Sequence, residues 1–314
     1  MSFTVLLAAP RGFCAGVERA IRTVELALEA RAPNDARPVY VRHEIVHNKV
    51  VVDDLRARGA VFVEETDQIP VGATAVFSAH GVAPTVRQAA VARDLVSLDA
   101  TCPLVSRVHA AVLRYAGHGY TILFVGHAGH PEVEGVMGEA PDHVKLIQTL
   151  EDADTVQVED PSQVAYATQT TLSVDDVAGI VERLRQRFPS MVGPEAGDVC
   201  YATTNRQEAV RALVEQQHAD VVLVLGSPNS SNSNRLREVA EIAGARAYLL
   251  GTAADLDPAC LKAARRVGVT AGASTPEHLV TALVDRLRSL GAEDVHTVET
   301  RVEDVFFAPP PIRR

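Results

Sequence analysis

Three cysteines, Cys14, Cys102 and Cys200, each stand between a run that reads as a buried strand and a run that reads as a helix. The strands are Phe3–Ala9, Leu95–Leu98 and, less sharply, the stretch before Cys200; the helices are Val17–Ala30, Val105–Tyr115 and Asn205–Gln216. A spacing of about 90–100 residues, kept twice, is the mark of a repeated supersecondary unit. Each unit carries two further polar loops at strand-to-helix junctions. The earlier ones are His47-Asn48, His127-Ala-Gly-His130-Pro-Glu132 and Ser227-Pro-Asn-Ser-Ser-Asn-Ser-Asn234. The later ones are Ser78-Ala-His80-Gly81, Thr168-Gln-Thr-Thr171 and Ala271-Gly-Ala-Ser274. Strands alternating with helices indicate an α/β chain with mainly parallel sheets. Runs such as Tyr120–Val125 and Val221–Leu225 are apolar throughout, as strands covered on both faces are. The expected fold is therefore α/β, built from three pseudo-threefold-related units around a central cavity. The units span residues 15–102, 103–199 and 200–292 (the last with 1–14), and 293–314 forms a C-terminal tail. Parallel α/β sheets bind ligands beyond the carboxyl ends of their strands, which is where all nine features fall.

Bulk properties narrow the function. A chain of 314 residues buries about three quarters of its unfolded surface and needs no covalent staples. The net charge of −10, without a basic stripe, argues against nucleic acid. No apolar run reaches the length of a membrane span, and Thr4–Ala9 is too short and lacks the basic flank of a signal peptide. A cytoplasmic location follows, where stable disulfides are rare. Ser173-Val-Asp-Asp176 reads as a capping box for a helix through Arg187, and Thr275-Pro276 as an N-cap followed by proline at the first helical position. Asp257–Ala263 reads as a short helix that places Cys260 in the core. The tail from Thr300, with Pro309-Pro310-Pro311 and Arg313-Arg314, reads as an extended segment.

Three matched thiolates suit an iron–sulfur cluster or zinc. Close cysteine pairs of the structural-zinc kind are absent, as are ferredoxin spacings, so the threefold placement carries the cluster reading. Three cysteine ligands leave one iron of a cubane open to act as a Lewis acid. The surrounding loops offer His47, His80, His130, Thr170, Ser230, Ser231, Asn232 and Ser274, rich in donors and near expected helix N-termini, as a phosphate site would be. Walker A and dinucleotide fingerprints are missing. Glu132 has two readings, as a proton donor with a raised pKa in a closed site or as a first-turn helix residue.

The motifs also resemble a known family. Arg11-Gly-Phe-Cys-Ala-Gly-Val17, Ile45-Val-His-Asn48, Phe77-Ser-Ala-His-Gly81, Asp99-Ala-Thr-Cys-Pro-Leu-Val105 and Gly126-His-Ala-Gly-His-Pro-Glu-Val-Glu-Gly135 are similar to those of the 4-hydroxy-3-methylbut-2-enyl diphosphate reductases. So are Ala167-Thr-Gln-Thr-Thr-Leu-Ser173, Cys200-Tyr-Ala-Thr-Thr-Asn-Arg-Gln207, Asn229-Ser-Ser-Asn-Ser-Asn-Arg235 and Val269-Thr-Ala-Gly-Ala-Ser274. The resemblance runs from Leu6 to about Leu290. It implies reductive removal of the allylic hydroxyl of a diphosphate, the last step of non-mevalonate isoprenoid synthesis, giving isopentenyl and dimethylallyl diphosphates. It also implies a 4Fe–4S cluster with one open iron on Cys14, Cys102 and Cys200, and a ferredoxin or flavodoxin as electron donor. By the same resemblance, His47, His80, His130, Ser230, Ser231, Asn232 and Ser274 contact the diphosphate, Thr170 the substrate hydroxyl, and Glu132 relays the proton. Pro228 departs from the family, where a lysine is common. A redox-neutral hydratase and a non-enzymatic iron–sulfur sensor of a phosphorylated metabolite are the competing classes; the first needs no reductant and the second has no turnover.

Overall fold

A computed structural model of the chain describes residues 2–31, 37–194 and 197–312. The chain opens with β1 (Phe3–Ala9), α1 (Ala15–Glu29), β2 (Val39–Arg42), α2 (Lys49–Ala57), β3 (Ala60–Val63), β4 (Thr74–Phe77), α3 (Pro84–Ala92) and β5 (Val96–Asp99). It continues with α4 (Pro103–Gly117), β6 (Thr121–Val125), α5 (Pro131–Met137), β7 (Val144–Ile147), α6 (Leu150–Thr155), β8 (Val164–Thr168) and α7 (Val174–Arg187). The last third runs α8 (Tyr201–Arg211), β9 (Val221–Leu225), α9 (Ser231–Ile242), β10 (Arg246–Leu250), β11 (Arg266–Ala271), α10 (Glu277–Ser289) and β12 (Ala292–Glu299). A π-helical turn, Ala212–Gln216, extends α8. These strands make three sheets, ordered β10-β9-β11-β1-β12, β3-β2-β4-β5 and β7-β6-β8. Every pairing among the described strands is parallel, which is the α/β class the alternation predicts.

By contacts the chain divides into two compact units. The first comprises Met1–Val17, His47–Val51 and Tyr201–Phe306 and holds the five-stranded sheet. Its strand β9, Val-Val-Leu-Val-Leu, lies between β10 and β11 and is buried at every position, and successive side chains leave on opposite faces. Val221, Leu223 and Leu225 pack with Leu279, Leu283 and Leu287 of α10. Val222 and Val224 pack with Ala209 and Val210 of α8 and Leu236 and Val239 of α9. Cys260 lies in the α10-side core, as expected of a structural thiol.

The second unit comprises Glu18–Val46, Val52–Cys200 and Phe307–Arg314 and holds the other two sheets. Strand β6 repeats the two-faced pattern. Leu123 and Val125 meet Val177, Ile180 and Leu184 of α7, while Ile122 and Phe124 meet Val108, Val112, Val133 and Val136 of α4 and α5. Each such buried aliphatic side chain contributes about 1.5–3 kcal/mol, so the sheets are rigid platforms for the loops at their ends.

Several local expectations shift. Ser173 caps α7 as predicted, accepting a bond from the Asp176 N–H. Pro276, not Thr275, is the cap of α10; the Thr275 hydroxyl is spent on the Leu225 carbonyl. The helix expected over Asp257–Ala263 is a single 3₁₀ turn, Pro258–Leu261. The strand expected before Cys200 is one parallel bridge between Val192 and Ala165. The tail expected from residue 293 begins later, because Ala292–Glu299 forms β12 along β1. From Thr300 the chain is extended but tethered: Thr300 donates to the Ala9 carbonyl, and the Ala308 carbonyl accepts from Arg19 Nε. The terminal Arg313-Arg314 pair lies outside the described residues.

Candidate functional site

Parallel strands deliver their loops to one end of each sheet, and the sequence-predicted residues sit there. Cys14 follows β1 and leads into α1; Cys102 follows β5 and caps α4 with Pro103 at the first helical position; Cys200 immediately precedes α8. No disulfide joins any cysteine, and these three are half-buried. Their backbone N–H groups follow one rule. Cys14 donates to Ala273, Cys102 to Ala79 and Cys200 to Thr170, at 3.2, 3.0 and 3.0 Å. The acceptors belong to the later polar loops of the third, first and second repeats, so the loop closing one repeat holds the cysteine opening the next. A thiol at a helix N-terminus favours its thiolate, the form that ligates iron or zinc. Burial pushes the Cys14 thiol up, opposed chiefly by the Arg206 charge and by the N–H groups of Val17 and Gly16. Among the described residues, no three His, Cys, Asp or Glu side chains are grouped as around a single metal ion. The fit to a cluster therefore rests on the matched thiols at helix starts.

In the first unit, His47, Ser230, Ser231, Asn232 and Ser274 come together around the start of α9. The backbone crosses closely there. A Cβ on Gly226 would lie 2.1 Å from Ser233 Oγ, as would one on Gly272, so both positions require glycine. Ser230 caps α9, accepting from the Ser233 N–H, and Ser233 Oγ donates to Ser230 Oγ at 3.0 Å. Asn229 Nδ2 is 3.5 Å from His47 Nδ1, and Ser274 Oγ donates to the His47 carbonyl at 2.9 Å. Asn48 caps α2 through the N–H groups of Val50 and Val51, and Ser227 Oγ accepts from Lys49 N–H. Asn232 is 4% exposed, and neither amide atom of its side chain has a hydrogen-bond partner. A buried amide left so costs about 1–3 kcal/mol. Its position at the positive end of a 12-residue helix is where an anion would satisfy it.

In the second unit, His80, His130, Glu132 and Thr170 are the counterparts. His80 and His130 meet edge to face with ring centroids 5.6 Å apart. Ser78 Oγ lies 3.2 Å from His80 Nδ1. His130 caps α5, its Nδ1 accepting from Glu132 N–H, which puts the neutral ring's proton on Nε2. Glu132 is 1% exposed. Thr170 donates its N–H to Oε1 at 2.7 Å and its hydroxyl to Oε2 at 2.9 Å. Burial pushes this carboxyl up to about 7; the two Thr170 bonds resist the rise and the Asp198 charge adds to it. Glu134, two residues on, is exposed.

Four side chains had no role in the sequence reading. Asp198 is bracketed by Thr168, whose N–H donates to its Oδ2 and whose hydroxyl accepts its N–H, and burial raises its carboxyl. Glu139 accepts from Arg87 and sits 2.8 Å from His109 Nδ1. His109 Nε2 lies 2.7 Å from where a Cβ on Gly81 would stand, so the His80 loop tolerates only glycine there. Arg206, 1% exposed, binds the Cys14 loop from α8. Its place six residues after Cys200 on a helix was the available signal.

Known proteins agree with this architecture. A 4-hydroxy-3-methylbut-2-enyl diphosphate reductase of Azoarcus sp. is 56% identical over 306 residues, covering 98% of this chain and 96% of the relative. The protein of that name from Bordetella pertussis is also 56% identical, over 98% of this chain and 92% of its own. The solved E-1-hydroxy-2-methyl-but-2-enyl-4-diphosphate reductase of Plasmodium falciparum superposes with a TM-score of 0.92 at 37% identity, covering 97% of this chain and 94% of that one. A second solved structure, described as (E)-4-hydroxy-3-methyl-but-2-enyl diphosphate reductase, the terminal enzyme of the non-mevalonate pathway, gives 0.64 at 30% identity over 91% and 99% of the two chains. With its residues 5–288 matching the family pattern and relatives more than half identical along nearly its whole length, the chain belongs to the LytB protein family.

Proposed function

We propose that the protein is a 4-hydroxy-3-methylbut-2-enyl diphosphate reductase, taking two electrons and two protons to convert the allylic alcohol diphosphate to isopentenyl or dimethylallyl diphosphate and water. The cofactor is of the iron–sulfur kind, and the finer assignment is a 4Fe–4S cluster on Cys14, Cys102 and Cys200 with one iron open. When bound, it supplies the electrons one at a time and a Lewis-acidic metal for the hydroxyl. Ferredoxin or flavodoxin is the expected donor and the cytoplasm the expected compartment; no described helix is long and apolar enough to cross a membrane.

The observation that carries the reading is Glu132. A buried carboxyl pushed up to about 7 holds its proton near neutral pH, and Thr170 on both its oxygens passes that proton through a hydroxyl to the departing oxygen. One proton leaves in water and the other ends on either of two carbons. By the family resemblance, His47, His80, His130, Ser230, Ser231, Asn232 and Ser274 are the residues that contact the diphosphate. The orphaned amide of Asn232 supports an anionic ligand in particular.

Anaerobic turnover of the reconstituted protein with the allylic diphosphate and a strong one-electron reductant tests this. Both five-carbon diphosphates are expected from the wild type, and neither from Glu132→Gln at intact cluster content and substrate affinity. Hydration without reductant, or binding with no product, would move the assignment to the hydratase or the sensor.

A further inference from the structure

Arg206 heads the fully buried side chains among the described residues, and a buried guanidinium must be paired and hydrogen-bonded to be tolerated. Its Nε and Nη2 donate to the Gly12 carbonyl at 3.1 and 2.8 Å, and Nη2 also reaches the Phe13 carbonyl at 3.2 Å. Nη1 donates to Ala202 within its own helix at 2.9 Å. Gly12 has a φ of +65°, and a Cβ there would stand 3.1 Å from the Thr275 carbonyl, so this turn holds its shape only with glycine and with its carbonyls occupied. The next residue is Cys14.

The charge is balanced from the C-terminal segment. Glu303 accepts from Nη1 at 3.0 Å and from Nη2 at 3.3 Å, and Asn205 Nδ2 adds a bond to its Oε1 at 3.0 Å. Within Arg301–Phe306, Glu303 is the one residue that is not exposed. The segment has no regular secondary structure; Thr300 anchors it at the Ala9 carbonyl, and Arg301 pairs with Glu208. An otherwise exposed segment thus sends a single carboxylate to the far side of the guanidinium that grips the Cys14 turn.

We propose that Glu303 is a positioning residue of the Cys14 site: the C-terminal segment acts as a clasp whose carboxylate keeps Arg206 locked on the Gly12 and Phe13 carbonyls and so fixes where the Cys14 sulfur stands. Its consequence for the cofactor rests on the cluster reading above; its consequence for the thiol does not. Glu303 acts through Arg206, and Arg206 through the Gly12–Phe13 turn. They hold the turn that holds the ligand, and without Glu303 the buried charge pulls Arg206 toward solvent and frees the turn.

The test uses the full chain with Glu303→Gln, Glu303→Asp and a truncation after Thr300. In the apoprotein, iodoacetamide labelling is followed separately at Cys14, Cys102 and Cys200 by mass spectrometry. Glu303→Gln and the truncation should speed Cys14 labelling roughly tenfold, since a buried ion stripped of its partner is a costly defect, with Cys102 and Cys200 unchanged and Glu303→Asp partly restored. After anaerobic reconstitution the same variants should lose iron–sulfur absorbance faster in air, and Glu303→Gln should show a higher reduction potential, one negative charge having gone. Equal labelling of Cys14 in all variants overturns the clasp. Faster Cys14 labelling with wild-type cluster loss and potential overturns its link to the cofactor. If no variant, wild type included, binds iron while Cys14 still responds, the cluster reading fails and the clasp stands.

Discussion

Glu132 allows a worked prediction that is independent of turnover. The folded chain keeps this carboxyl protonated up to about 7, whereas an exposed glutamate releases its proton near 4.5. The neutral form is the one the fold favours. The stability this group contributes is therefore fully present below 4.5 and is lost as pH rises through 7. The complete loss amounts to about 3 kcal/mol. About 2 kcal/mol of it develops between roughly pH 5.5 and 8.5. Glu132→Gln removes the titration and keeps the shape: the Thr170 N–H still donates to the amide oxygen, and the Thr170 hydroxyl turns to accept from the amide nitrogen. Urea unfolding of the apoprotein, wild type and variant, at the two pH values measures the effect. The variant should gain on the wild type by about 2 kcal/mol more at the alkaline value. A difference that is the same at both pH values would show that Glu132 does not change protonation between them, and the proton-donor argument would lose its physical basis.

Other outcomes follow from the same contacts. Asn232→Leu should leave the apoprotein at least as stable, because it removes two orphaned buried atoms, yet weaken diphosphate binding at least about tenfold; unaltered affinity by calorimetry would contradict that. Gly226→Ala should cost about 1–3 kcal/mol, since the new methyl collides with Ser233 at the start of α9, and a wild-type unfolding midpoint would count against the close crossing. Cys102→Ser should lose bound iron by elemental analysis while unfolding like the wild-type apoprotein; full iron content would remove Cys102 from the ligand set. Leu223→Ala, at the buried centre of β9, should cost about 2–5 kcal/mol in denaturant titrations, and a much smaller loss would mean that β9 is not the core strand described.

The strand–loop–helix rhythm was readable because it is local. A run such as Val221–Leu225 signals a strand covered on both faces without reference to anything else in the chain. Two elements differ from the sequence reading because what decides them lies elsewhere. β12, Ala-Glu-Asp-Val-His-Thr-Val-Glu, is an edge strand with mostly exposed side chains, so its sequence looks like tail; its pairing comes from β1. The strand before Cys200 shrinks to one bridge at Val192, too short for any period. The cap of α10 moved by one residue because the Thr275 hydroxyl found a better acceptor 50 residues back, at Leu225.

For the site, residue types and their order along the chain are a property of sequence: three cysteines before helices, the histidine and serine loops, and Glu132. Tertiary structure decided their chemistry. Burial in the fold pushes the Glu132 carboxyl up to about 7, against two bonds from Thr170, distant in sequence, that favour its charged form. Asn232 is an orphan only because α9 begins under the Gly272 turn. Arg206 reads as one more surface charge until α8 turns it onto Gly12 and the C-terminal segment brings Glu303 to it. Hydrophobic period and turn residues are set by neighbours along the chain; burial, pKa and ion pairing are set by neighbours in space, and folding alone supplies those.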